Sequence, residues 1–470
     1  MKPKTLLVLL ILVVGLGAFI YFYERKLPGT EERETEAKKL LTIKTDDVTA
    51  ITLQVGDKTV KLERVAPPPS AGKAAPAAAP EDKSWKMTAP IQARADRWAV
   101  ERLVDSLANL DKQRELDASD RAELGLDKPR ATVTLATAAG PRTIRFGAEV
   151  PAASAMAAEV EGEARPAIVA SYVWSDLAKP PGDWRSKDVF TGQRDAIERL
   201  TLTAGTQKVL LAKRGDDFWE ESPLADRADR DAVNRLLGEL GGLQVAKFLD
   251  PPPESPAQMG LEPPQLAVEA VLKGQAEPFR LELGGADAKE AGKLYARSAG
   301  SVFLVDPKIA ESIRRAPNDW RSPILSSFEV YRVDSANVDD GKGVLALTRA
   351  GSDWKRNQDK VSFTPVSDLL YALTGAHADK LWTRAEAEQA GAALAKPALT
   401  VKLVAADQHE ETLTLYPALA DGTAVATASD RDGTYLLLSK ATAADIQSKL
   451  ETLRGAEPLK ERAEDGAKKP

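Results

Sequence analysis

Cysteine is absent from the 470-residue chain. That excludes disulfides, thiolate metal sites, cysteine nucleophiles and lipidated cysteines together. Histidine is nearly absent as well. His377 and His409 stand too far apart in sequence to suggest a dyad or a metal pair, so both are expected to pack or to lie on the surface. Aromatic residues make up only 6% of the chain, the net charge is −6, and no Lys/Arg cluster alternates with aromatics, so nucleic acid is not an expected partner. Catalytic signatures are missing too. There is no GxSxG, no acidic calcium loop and no P-loop, since "GGADAKEAGK" (Gly284 to Lys293) lacks the terminal GK[ST]. SxxK spacing occurs at Ser70 to Lys73 and Ser352 to Lys355, but neither pair opens a helix. The acid pairs Asp216-Asp217, Glu220-Glu221 and Asp339-Asp340 fall in or beside expected turns, where solvated side chains are the ordinary outcome. No catalytic residue, cofactor or metal is therefore assigned, and an enzyme is not expected.

What the chain does have begins at its first residues. Thr5 to Tyr23 is an uncharged run of 19 residues, long enough for one helical crossing of a bilayer. Lys2 and Lys4 precede it, Tyr21 and Tyr23 stand where an aromatic belt forms, and no small-x-small cleavage site follows. The lipid bilayer is thus an expected partner through Thr5 to Tyr23. The expected location is a bacterial inner membrane, with the bulk of the chain on the periplasmic side.

The remainder repeats itself. "RADRWAVERLV" (Arg94 to Val104) and "RADRDAVNRLL" (Arg227 to Leu237) agree at eight of eleven positions, at an offset of 133. Val100, Leu103, Val104 and Leu107 map onto Val233, Leu236, Leu237 and Leu240, one face of an amphipathic helix, with Asp96 and Asp229 as N-caps. A diverged third copy follows, with Val366, Leu369, Leu370 and Leu373 on the face and Ser362 at the cap. Trp85, Trp219 and Trp354 precede the three helices and are read as repeated core residues. "GLDKP", "GLEPP" and a worn "ALAKP" (Ala393 to Pro397) follow them. Short alternating strands flank these landmarks, as in "VTAITLQVGDKTVKLERV" (Val48 to Val65), where Gly56-Asp57 supplies the turn.

The expected fold class is therefore α+β: an N-terminal transmembrane helix, then three tandem repeats of antiparallel sheet with packed helices. The boundaries read as an anchor at 1–23, a stalk at 24–40, repeats at 41–190, 191–325 and 326–454, and a disordered tail at 455–470. A Pro/Ala-rich loop at 66–83 interrupts the first repeat.

One string stands apart. DWRS occurs as Asp183 to Ser186 and Asp319 to Ser322, closing the first and second repeats but not the third. A motif present only where another repeat follows suggests a joint. Trp184 and Trp320 would wedge between neighbouring sheets, while Arg185 and Arg321 bond nearby carbonyls or acids, with Asp183 and Asp319 beside them. Trp98, which Asp231 replaces in the second copy, is the candidate interface residue.

With its anchor, its Trp-to-Pro strand ends "WKMTAP" and "WEESP", its capped helices "ADRWAVERLVDSLANL" and "ADRDAVNRLLGEL", and its GL-to-Pro turns, the chain resembles the domain of unknown function 4340 family. That resemblance covers most of residues 40 to 450. It implies a membrane-anchored exported protein linked to gliding-type ABC transport systems, acting as a scaffold or accessory subunit with ABC transporter subunits as partners. A glycan- or lipid-binding envelope module is the alternative, and a carboxylate hydrolase a more distant one.

Overall fold

The computed structural model describes residues 37–65, 84–117, 121–150 and 153–459. The expected anchor, most of the stalk, the Pro/Ala-rich loop and the tail beyond residue 459 lie outside these. Among the described residues no helix is long and apolar enough to cross a membrane. The chain divides into two compact units between Lys187 and Asp188. The first holds one repeat and the second holds two.

In the first repeat, strands β1 (Val48–Val55) and β2 (Lys58–Arg64) form the expected hairpin, with Gly56 at a φ of +59° in its turn. Alternation buries Ile51, Leu53, Val60 and Leu62 and leaves their neighbours outside. β3 (Trp85–Ala89) and β4 (Ala93–Arg94) extend the sheet, and α1 (Arg97–Ala108) then crosses it. The Asp96 side chain accepts from the Ala99 N–H at 3.0 Å, and Val100, Leu103, Val104 and Leu107 turn inward. β5 (Lys112–Glu115) takes the far edge. β6 (Ala131–Thr137) returns to the middle beside β1, and β7 (Gly140–Val150), β8 (Ala155–Val160) and β9 (Ala167–Ala170) run back out to β5. A short helix, α2 (Val173–Leu177), follows. The result is a nine-stranded antiparallel sheet of order β4-β3-β2-β1-β6-β7-β8-β9-β5.

The second unit builds the same order twice more. In the second repeat the strands are β10 (Ile197–Ala204), β11 (Gln207–Arg214), β12 (Asp217–Ser222), β13 (Asp226–Arg227), β14 (Val245–Phe248), β15 (Leu266–Leu272), β16 (Phe279–Ala286), β17 (Leu294–Ser298) and β18 (Ser301–Val305). Its helices are α3 (Arg230–Gly241) and α4 (Lys308–Ile313). The third repeat has β19 (Val333–Asp339), β20 (Leu345–Ala350), β21 (Asp353–Arg356), β22 (Asp359–Val361), β23 (Ala378–Trp382), β24 (Leu399–Ala405), β25 (Glu410–Leu415), β26 (Ala424–Ala428) and β27 (Tyr435–Leu438). Its helices are α5 (Phe363–Thr374), α6 (Arg384–Gln389) and α7 (Lys440–Gly455). Three antiparallel sheets with packed helices make the protein α+β, built from tandem repeats.

The pairing also moves the repeat boundaries. Leu40 N–H donates to Leu110 O, Val189 to Leu243 O and Leu325 to Ala376 O, so the pairing of each repeat begins one or two residues earlier than its hydrophobic pattern suggested. The GL turns have a backbone cause. Gly125 and Gly260 hold φ values of +68° and +70°, and the carbonyls of Leu124 and Met259 accept from Ala148 and Gly285. A Cβ on Gly147 or Gly284 would stand 2.1 Å from those same carbonyls, so each turn seats on a strand that must be side-chain-free there. The third repeat abandons the device for α6, which Thr383 and Glu386 close with a capping box.

The repeated tryptophans need correction. Ala95 N–H donates to Trp85 O, whereas the equivalent Ala228 donates to Phe218 O. Trp219 is thus one residue out of step with Trp85. On a strand, one residue is the opposite face. Trp85 and Trp354 are buried core residues, while Trp219 is half-exposed beneath Arg214.

Candidate functional site

The two DWRS segments make the same local structure. Pro181–Trp184 and Pro317–Trp320 are 3-10 turns whose last residues run beside the strand-to-helix segments. Trp184 O accepts from Asp96 N–H at 2.8 Å, and Ser186 N–H donates to Arg94 O. In the second repeat Trp320 O accepts from Asp229 N–H at 2.6 Å, and Ser322 N–H donates to Arg227 O. DWRS and RADR, separate motifs in the sequence, are therefore hydrogen-bond partners that tie the end of each repeat to the start of its main helix. That pinning turns the rings inward. Trp184 lies in the core of the first repeat and Trp320 in the core of the second, instead of wedging between sheets of neighbouring repeats. Asp183 and Asp319 are exposed, and Arg185 and Arg321 are buried.

Arg321 does reach further. Around it lies a cluster of buried charge within the second unit, centred on Asp226 at the edge of the second repeat. Asp226 has no solvent-exposed side-chain surface. Arg431, from the loop between β26 and β27, grips it with Nε on Oδ1 and Nη2 on Oδ2, each at 2.7 Å. Arg321 Nε donates to Oδ2 at 2.8 Å, Thr434 Oγ1 donates there at 3.1 Å, and the Arg227 N–H donates to Oδ1 at 2.8 Å. Arg321 Nη2 also meets Thr434 Oγ1 at 2.5 Å, while Arg431 donates to the carbonyls of Ser322 and Ile324. Burial alone would raise the Asp226 carboxyl. The hydrogen bonds and charge of Arg431, with the charge of Arg321, outweigh it and hold the group below the usual aspartate range.

A second layer surrounds the first. Arg227 donates from Nη2 to Leu325 O at 2.6 Å and places Nε 3.0 Å from Asp430 Oδ2. Glu411, on β25, accepts from Ser327 N–H at 2.9 Å and from the Ser326 hydroxyl. Burial pushes the Glu411 carboxyl up despite the nearby charge of Arg227. Glu220 stands directly across from Asp226 in the β12–β13 pair. It is only 1% exposed, accepts one bond from Leu224 N–H at 3.3 Å and leaves Oε2 without a partner. Burial pushes its carboxyl up to about 7, against the lowering pull of Leu224 and Arg321. With Glu220 protonated, three arginines face three carboxylates, and the cluster is neutral.

The expectation of solvated turn acids therefore fails at Glu220. It is inside because it alternates with Glu221 along a strand. Asp340 is largely buried too, paired with Arg454. An ionised Asp226 beside a protonated Glu220 has the electrostatic form of an acid/base pair. Neither residue, however, lines the cleft that opens nearby between Arg227, Arg230, Ser326, Phe328 and Tyr371, so a substrate there meets neither carboxyl. What the arrangement does is fasten the second repeat to the third.

Elsewhere, Trp98 is 71% exposed on α1, with Arg97 over its ring at 5.4 Å and Tyr172 beside a shallow depression. His409 stacks on Phe328, and His377 meets the Ala378 carbonyl. Among the described residues no group of three His, Asp or Glu side chains is arranged to hold a metal ion. Sequence reasoning missed Asp226, Glu411 and Arg431. The first was legible by aligning "LADRADR" with "QARADR", which sets Asp226 opposite Ala93. Arg431 sits in the loop between β26 and β27, far in sequence from the acid it holds.

A family model described as Domain of unknown function (DUF4340) matches residues 85–228 and again 221–397. No curated protein matches the chain. Among solved structures, a DNA polymerase sliding clamp from Pseudomonas aeruginosa with ligand is 9% identical, covering 86% of this chain and 94% of that one at a TM-score of 0.15. The DNA polymerase III subunit beta from Pseudomonas aeruginosa is 10% identical, with 87% and 96% covered at 0.17. Scores this low carry no argument about fold or function.

Proposed function

This chain belongs to the domain of unknown function 4340 family, and on that footing we propose that it is a membrane-anchored extracytoplasmic scaffold. Its partners in this reading are membrane subunits of an ABC-type transport system, and its lipid contact is Thr5 to Tyr23. The observation that supports the reading is the Asp226 cluster. Each Asp226 oxygen is taken by protein donors from both the second and third repeats. Charge arranged this way fixes orientation instead of performing chemistry, which is what a presenting scaffold requires.

Affinity purification of the full chain from detergent-solubilised membranes tests the partner. Permease and ATPase subunits should be recovered with it, and recovery of the chain alone would overturn the reading. The side of the membrane has its own test, because the chain lacks cysteine. Trp98→Cys places one thiol at an exposed position, which a membrane-impermeant maleimide should label in spheroplasts. Labelling only after lysis would place the repeats on the other side.

A further inference from the structure

We propose that the first unit carries a binding site for a phosphate monoester, formed where Arg142 of β7 faces the segment leading into β1. The argument rests on one position seen three times. Arg142 pairs with Leu135 across the sheet, Phe279 pairs with Ala270, and Glu411 pairs with Leu403, each at the same place in its repeat. In the second repeat the space over this position is closed by Phe190, which meets Phe279 edge-on at 5.0 Å. In the third it is closed by Ser326 and Ser327, which donate to Glu411.

The first repeat leaves the space open. Its equivalents of those partners are Leu41 and Thr42, and neither makes a hydrogen bond to Arg142 Nε. The Nε of Arg142 is shielded from solvent and has no hydrogen-bond partner. A shielded donor without an acceptor is costly, and a guanidinium matches an oxyanion in geometry as well as charge. Beside it opens a cleft of about 410 Å³, whose walls include Lys39, Lys44, Thr42, Ile43 and Asp47. Lys39 gives one donor to Asn109 at 3.3 Å and keeps the others.

Charge and size choose the ligand. Three bases against one acid leave a formal excess of two positive charges. A phosphate monoester, at about −1.5 to −2 near neutral pH, matches that excess better than a singly charged carboxylate. The volume falls within the roughly 300–1,000 Å³ typical of small-molecule sites, leaving room for an organic group beyond the phosphate, against Ile43. That group belongs either to a soluble phosphate ester or to the headgroup of a phosphatidic-acid-type lipid.

Isothermal titration of the full chain in neutral detergent distinguishes these sources. Glycerol 3-phosphate is the soluble probe, and micelles doped with phosphatidic acid are the lipid probe. Binding of either supports the site, and the tighter of the two names the source. Arg142→Gln should weaken binding at least tenfold. Lys44→Ala, at an exposed side chain, should weaken it severalfold. Affinity should also fall as pH drops below about 6, where the ester becomes a monoanion. The proposal is overturned if neither probe binds, if acetate binds as well as glycerol 3-phosphate, or if folded Arg142→Gln and Lys44→Ala proteins bind like the parent.

Discussion

Met87 and Ala93 in the first repeat occupy the same two facing places as Glu220 and Asp226 in the second. The strands, the pairing and the neighbouring leucines, Leu62 and Leu211, agree. Only the chemistry differs. Met87 is fully buried in an apolar core, whereas Glu220 and Asp226 are equally buried in a web of arginines. In the third repeat, Arg356 takes the same place and donates to the Leu453 and Arg454 carbonyls at the end of α7. One backbone frame thus accepts an apolar, an acidic and a basic residue at one place, buried in the first two repeats and half-buried in the third. What decides among them is the group lying over it: apolar side chains, the arginines of the Asp226 cluster, or an orphaned helix terminus.

Breaking the ionic version should cost most. Asp226→Ala leaves Arg431 and Arg321 buried without their carboxylate, and urea unfolding of the full chain should register a loss of about 3–5 kcal/mol. Trp320→Ala should cost about 3 kcal/mol or more through the cavity it leaves. Because the ring belongs to its own repeat, hydrogen exchange should quicken in α3 while α5 keeps its protection. Equal loss in both helices would return the ring to the joint.

Glu220 sharpens the comparison through pH. Its folded carboxyl, raised to about 7, keeps a proton that the unfolded chain releases above about pH 4.5. Stability conferred by the protonated form is therefore present at low pH and lost as pH rises through about 7, with a slope of at most about 1.4 kcal/mol per pH unit. Glu220→Gln should flatten that slope, and an unchanged profile would remove the assignment. The caps come next. Asp96→Ala and Asp229→Ala should each cost about 1 kcal/mol, since both side chains accept helix N–H groups. Ser362→Ala should cost much less, because its hydroxyl makes no cap bond. Trp98→Ala, on an open surface, should shift stability by under about 0.5 kcal/mol.

The sequence-to-structure relation divides along the same line. Helix faces, caps, the hairpin turn and the repeat itself were legible because each depends on neighbours in sequence. The Trp219 error arose because a one-residue slip in spacing looks trivial in a sequence and reverses a side chain on a strand. The Asp226 cluster was hidden for a different reason. Its members, Asp226, Arg321, Glu411 and Arg431, lie as many as 205 positions apart and share no spacing rule. Only the copy-to-copy change from Ala93 to Asp226 marked the place, and it says nothing of where the arginines come from. DWRS was read as a joint between repeats, yet most of its bonds close its own repeat, leaving Arg321 to reach the next.

The central claim is that Asp226 and Arg431 lock the second repeat to the third. A double-mutant cycle in the full chain, pairing Asp226→Ala with Arg431→Met and reading equilibrium unfolding, tests it most directly. The account predicts strong coupling: the double variant should recover at least about 2 kcal/mol of the two single losses, since removing both charges spares the cost of burying either alone. Losses that simply add would contradict it.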